Sequence, residues 1–96
     1  MKYAKSLFEH QDDIKCFVCG SYKYVQRHEI FFGRAYRNKS KQYGCWVNLC
    51  MACHDKVHFS KDHSLDIKLK KLGQEKFEML YGHTKFMEEF DKNRLE

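Results

Sequence analysis

Two stretches decide the architecture of this 96-residue chain: Leu49-Cys50-Met51-Ala52-Cys53-His54-Asp55-Lys56-Val57-His58, and upstream of it Cys16-Phe17-Val18-Cys19-Gly20. Each holds two cysteines separated by two residues. Ligands at that spacing grip one ion only if the chain folds back in a tight knuckle, and Gly20 tolerates the backbone conformation this needs. Together Cys16, Cys19, Cys50 and Cys53 supply four thiolates, the tetrahedral sulfur set of structural zinc. An iron–sulfur cluster also takes four cysteines but fits the apolar and basic setting weakly, and four unpaired buried thiols are the alternative without a metal. Thirty residues separate the pairs, more than in the common zinc ribbon but enough for a β-hairpin that the knuckles clamp at its base. A chain this short sits near the size at which a core needs a metal or disulfides. With five cysteines, Cys45 is left over, and paired Cys-x-x-Cys units suit a metal in a reducing compartment better than a disulfide framework.

Outward from the second knuckle, Cys50 to Phe59 is predicted to be a helix, which puts His54 and His58 on one face about one turn apart as a two-ligand metal grip. Tyr22 to Phe32 is rich in aromatic and β-branched residues and predicts a strand carrying His28, ended by a turn at Gly33. Arg34 to Gln42 reads as a long basic loop, and Cys45 to Leu49 as the second strand of an antiparallel hairpin. Beyond Ser60–Ser64, the apolar residues Leu65, Ile67, Leu69, Leu72, Phe77 and Leu80 have helical spacing, interrupted at Gly73 and closed by Gly82. A last helix is expected over Thr84–Asp91. Phe77, Leu80, Phe86 and Phe90 are expected in the core of so small a protein rather than on a docking surface. Residues 3–14 read as a short amphipathic helix or an irregular lead-in. The expected organisation is one α+β domain with a lead-in (1–15), a zinc-clamped core (16–59) and C-terminal helices (60–96). His10, His63 and His83 are expected on the surface.

With 43% hydrophobic, 16% aromatic and 32% charged residues, the composition is that of a folded protein rather than a disordered one. No apolar stretch approaches the roughly 18 residues of a membrane span, and Met1–Lys5 is not followed by a signal-peptide segment, so no membrane partner and a cytoplasmic location are expected. The net charge of +5 is uneven: residues 1–60 carry 10 basic and 5 acidic side chains, residues 61–96 carry 8 of each. Within residues 21–44, Lys23, Arg27, Arg34, Arg37, Lys39 and Lys41 face a single acid, Glu29, and would present a positive field to a phosphate backbone.

The order Cys-x-x-Cys, Arg27-His28-Glu29-Ile30-Phe31-Phe32-Gly33, Arg37-x-x-Ser40, Tyr43-Gly44 and Leu49-Cys50-x-x-Cys53-His54-x-x-x-His58 resembles the HNH nucleases of bacterial phages and prophages. The resemblance covers residues 16–59, and Leu65 to Phe90 is similar to the tail of those small proteins. It implies a ββα-metal core and metal-dependent hydrolysis of DNA phosphodiester bonds. Beside the structural Zn2+ it implies one divalent cation (Mg2+, Mn2+, Ni2+ or Zn2+) held by His54 and His58. His28 is the expected general base, since an imidazole suits that task. The match departs from the usual motif because Arg27 precedes His28 and Glu29 follows it. If His28 and Glu29 stand for a His-His pair, His28 is a metal ligand and Glu29 occupies the base position. The motif asparagine falls at Cys45, leaving its structural job to Asn48 or Asn38. Arg27, Arg34, Arg37, Lys39 and Lys41 are the expected DNA contacts, positioning the backbone without reading sequence. Two other readings stand beside this one: a non-catalytic, zinc-stabilised nucleic-acid-binding module that uses the same basic residues, and a protein-interaction adaptor.

Overall fold

Two four-residue strands, β1 (Gln26–Glu29) and β2 (Trp46–Leu49), form an antiparallel pair in which His28 faces Val47 and Glu29 faces Trp46. The computed structural model describes residues 3–95; Met1 and Lys2 of the lead-in, and Glu96, lie outside the described residues. Four helices complete a small α+β fold: α1 (Arg37–Tyr43), α2 (Met51–Phe59), α3 (Ser64–Tyr81) and α4 (His83–Phe90). No helix among the described residues is long and apolar enough to cross a membrane.

The first strand is shorter than the sequence suggests. Tyr24 has φ +51°, a left-handed conformation that interrupts the extended run, so the aromatic residues Tyr22 and Tyr24 leave the sheet and stand exposed. The expected basic loop also needs correcting, because its second half is helical. Six of its seven residues are polar and form no apolar stripe; the helix is anchored by the Tyr43 ring, 5.2 Å from that of Phe77, and by Ser40, whose hydroxyl donates to the Phe31 carbonyl at 2.8 Å and accepts from the Phe31 N–H at 3.1 Å. Gly44, at φ +75°, ends α1 in the left-handed conformation, its N–H donating to the Ser40 carbonyl.

Both faces of β2 are covered, and all four of its residues are buried. The lead-in is irregular apart from a single turn at Gln11–Asp13 and lies along this strand. Trp46 Nε1 donates to the Ala4 carbonyl at 2.7 Å, Ser6 Oγ to the Trp46 carbonyl at 2.6 Å and the Leu7 N–H to the Gly44 carbonyl at 2.9 Å. Asn48 is buried and tied to the same segment: its N–H donates to Gln11 Oε1 at 2.8 Å and its side-chain amide to the Gln11 carbonyl. Asn38 is exposed and Cys45 is enclosed in the core, so Asn48 is the buried asparagine that ties loop to sheet.

The C-terminal helices cover the hairpin with Leu69, Phe77, Phe86 and Phe90, which pack on Ile30, Phe31, Val47 and Leu49. Gly73 does not interrupt α3. A Cβ there would sit 3.1–3.2 Å from Ile30 and Phe31 atoms, so the glycine lets the helix lie directly on the strand end. Leu80, expected in the core, is 66% exposed. It is the penultimate residue of α3, three residues past Phe77, on a side of the helix left open.

Candidate metal centres

The first knuckle follows the lead-in, closed by the Gly20 N–H donating to the Cys16 carbonyl at 3.0 Å. The second opens α2, with Cys50 as an extended N-cap and Cys53 in the first turn. All four sulfur atoms lie within 4.8 Å of one another, and Cys19 and Cys50 are 3.6 Å apart. A tetrahedron with metal–sulfur bonds of about 2.3 Å has edges of about 3.8 Å, whereas a disulfide needs about 2 Å. The four cysteines are free thiols arranged at metal-ligand spacing. Burial opposes ionisation of Cys16, but the backbone N–H groups of Cys19, Cys50 and Val18 aimed at its sulfur outweigh it and hold the thiol at about 6. Stabilised thiolate is what a metal ion binds. Burial lifts the fifth thiol, Cys45, to about 12, and it is an inert core residue.

The second cluster joins strand to helix. His28, buried on β1, meets His54 and His58 from α2, and one nitrogen from each imidazole lies within 4.8 Å of the others. Ring centroids are 5.2 Å (His28–His54), 5.5 Å (His28–His58) and 4.5 Å (His54–His58) apart. His28 Nε2 is buried without a hydrogen-bond partner. A buried, unpartnered ring nitrogen on an imidazole that meets two others fits a cation-binding cluster, since an unfilled buried acceptor costs about 1–3 kcal/mol. Burial, then the neighbouring His54 and His58, push His28 down to about 3. The ring is therefore neutral, with a lone pair to offer, as a metal-binding imidazole must be. Gln26 Nε2 lies 3.3 Å from His54 Nδ1, a side-chain contact that orients the imidazole. Phe32 walls the cluster, its ring 4.7 Å from that of His58.

The three histidines line a cavity of about 160 Å3 together with Arg27, Glu29, Phe32 and Arg37. Glu29 Oε2 accepts the Tyr3 hydroxyl at 2.8 Å, and Arg37 Nε lies 3.6 Å from Oε1. The Arg27 guanidinium packs over the edge-to-face pair of Tyr3 and Trp46, 4.7 and 4.5 Å from their ring centroids. The sequence-predicted basic residues thus divide. Arg27 and Arg37 reach the cavity, and Arg34 is exposed beside it in a shallow hollow shared with Arg37. Lys41 stands over the Tyr3 ring at 5.2 Å. Lys39 is turned to α4, donating to the Glu89 carbonyl at 3.0 Å with the Glu89 carboxylate 3.4 Å away.

Sequence inspection missed Tyr3 and Gln26. Gln26 sits two residues before His28, on the same face of a strand, a usable signal; Tyr3 arrives through the lead-in, for which no local pattern exists. Comparison of the chain with protein-family models, curated proteins and solved structures gives no match.

Proposed function

We propose that this protein is a metal-dependent endonuclease of the HNH, ββα-metal type that hydrolyses DNA phosphodiester bonds, with Cys16, Cys19, Cys50 and Cys53 holding a structural zinc. The observation that carries the proposal is the convergence of His28, His54 and His58 within 4.8 Å in a cavity also lined by Arg27, Glu29 and Arg37. Of the two roles open to His28, ligand is the better supported, because one of its ring nitrogens lies within 4.8 Å of a nitrogen of both His54 and His58. A divalent ion bound there supplies Lewis-acid polarisation of the phosphate and offsets charge on the departing oxygen. Three imidazoles without a carboxylate suit Zn2+, Ni2+ or Mn2+ better than Mg2+, which prefers oxygen ligands.

The remaining chemistry belongs to the cavity wall. Glu29 is the carboxylate available to take a proton from the attacking water, and Tyr3 fixes its orientation through Oε2. Arg27, packed over the Tyr3 and Trp46 rings, and Arg37 bind the phosphate oxygens. Phe32 keeps bulk water from one side of the histidines.

Plasmid nicking by the zinc-loaded protein, with Mn2+, Ni2+, Zn2+ or Mg2+ added, tests the proposal. We expect metal-dependent nicking that His58→Ala abolishes and that Glu29→Gln lowers by about 10²- to 10⁴-fold, the usual contribution of a general base. Absence of nicking under every metal, with DNA still bound, would replace it by the non-catalytic binding module.

A further inference from the structure

We infer that the C-terminal segment forms a second phosphate-binding site, built from Lys71, Lys92 and Arg94, that grips the nucleic-acid backbone away from the cleaved bond. The inference rests on the nuclease reading for its ligand and on an independent part of the molecule for its geometry. A cavity of about 360 Å3 opens between the first half of α3 and the chain after α4, where Lys70, Lys71, Lys92 and Arg94 outnumber a single carboxylate, Asp66. Asp66 is matched to Lys70 through Oδ2 at 2.9 Å and its Oδ1 is buried without a partner, so one carboxylate stands against four cationic side chains within the pocket.

The pocket is constructed rather than a chance gathering of surface lysines. Gln74, wholly buried on α3, donates to Asn93 Oδ1 at 2.9 Å and accepts the Arg94 N–H at 2.7 Å, which pins the tail in place. The Arg94 guanidinium then lies over the Phe31 ring, 5.5 Å from its centroid. Its Nε is buried and unpartnered, and its side chain makes no hydrogen bond or ion pair among the described residues. A guanidinium drawn out of water with unfilled donors is stabilised by an oxyanion that accepts in fork geometry, and a phosphate provides one. The link to the histidines is short. Lys70 Nζ stands 4.2 Å from the Phe32 ring centroid, and the Phe32 ring in turn packs on His58. A strand held at the histidines therefore has a basic pocket beside it. The equal numbers of acids and bases in residues 61–96 conceal the site in the sequence.

The test compares the wild-type zinc-loaded protein with Lys71→Gln/Lys92→Gln and, separately, Arg94→Gln. The double variant alters only exposed side chains, so it stays informative if loss of Arg94 weakens folding; circular dichroism checks both. Binding of a fluorescein-labelled DNA duplex is followed by anisotropy from about 50 to about 200 mM salt, where each phosphate contact contributes about 0.9 to the slope of log K against log salt. We expect the double variant to lose about 2 from that slope and Arg94→Gln about 1, with hydrolysis of bis(p-nitrophenyl) phosphate, too small to reach the pocket, unchanged. A wild-type slope in the folded double variant overturns the second site while leaving the nuclease reading intact. Failure of the wild type to bind DNA overturns both, whereas binding without nicking, with the slope lost in the variants, overturns the nuclease reading alone.

Discussion

Replacing Gly44 by alanine tests whether the lead-in is a working part of the site. Gly44 has φ +75°, a conformation that costs an L-residue roughly 1–2 kcal/mol. An added Cβ would also collide with the Lys5 carbonyl and press on the Leu7 N–H. The lead-in must then lift, and the two bonds nearest the collision, Leu7 N–H to Gly44 and Trp46 Nε1 to Ala4, contribute about 0.5–1.5 kcal/mol each. The expected destabilisation is therefore about 2–5 kcal/mol. Gly33 provides the control: its φ is +103° and a methyl group added there would meet nothing within 4 Å, so Gly33→Ala carries the backbone cost alone, about 1–2 kcal/mol. Urea denaturation of the two zinc-loaded variants measures the difference. Because the displaced segment carries Tyr3 to Glu29 and Arg27, Gly44→Ala should also lose nicking activity under conditions where it remains folded. Equal stability of the two variants would refute the close packing of the lead-in.

Three further outcomes are expected. Cys53→Ser, or removal of zinc with a chelator, should unfold the domain, since a structural zinc contributes about 10–16 kcal/mol in small domains and whole-protein stability is about 5–15 kcal/mol; far-ultraviolet circular dichroism reads the loss, and a folded zinc-free variant would contradict the clamp. Burial opposes ionisation of Glu78, but hydrogen bonds from Gln74 and His83 outweigh it and hold the carboxyl below its usual range. A depressed folded-state pKa gives stability that is present above the unfolded value and lost as pH falls through the folded one. Thermal melts should accordingly show wild type above Glu78→Gln at neutral pH, with the gap narrowing below about pH 4.5, the ordinary glutamate value; a gap independent of pH would reject the charged contact. Gln26→Ala should weaken binding of the ion at the histidines by about 10- to 100-fold, the usual effect of losing a partner that orients a ligand, measured by metal titration; unchanged affinity would release Gln26 from that role.

The legible parts of the molecule were those in which spacing along the chain equals spacing in space. Cys-x-x-Cys knuckles and a His-x-x-x-His pair on a helix are local devices, and the four sulfurs and two of the three histidines lie together as their intervals require. The strand partners could also be read, because Cys45 to Leu49 is a short apolar run that ends at a knuckle. What escaped depends on contacts distant in sequence. Helix α1 packs Ser40 on Phe31 and Tyr43 on Phe77, but a single aromatic among six polar residues is no apolar stripe, although Tyr36, Ser40 and Tyr43 recur at helical intervals. Gly73 looks like a break until Ile30 and Phe31 are seen against it. Tyr3 reaches Glu29 across 26 residues, and the Arg94 pocket forms only when the tail returns to α3 through Gln74. The role of His28 belongs to the same group: its side-chain chemistry suits base and ligand alike, and its meeting with His54 and His58 is a property of the folded chain.

The most direct test of the histidine centre is anomalous scattering across the zinc edge from crystals grown with added Zn2+. Two ions per chain are expected, one among the four cysteines at about 2.3 Å from each sulfur and one at about 2.0–2.1 Å from a nitrogen of His28, His54 and His58 alike. A single ion at the cysteines, or a second ion held by His54 and His58 with His28 turned away, would contradict the three-histidine centre.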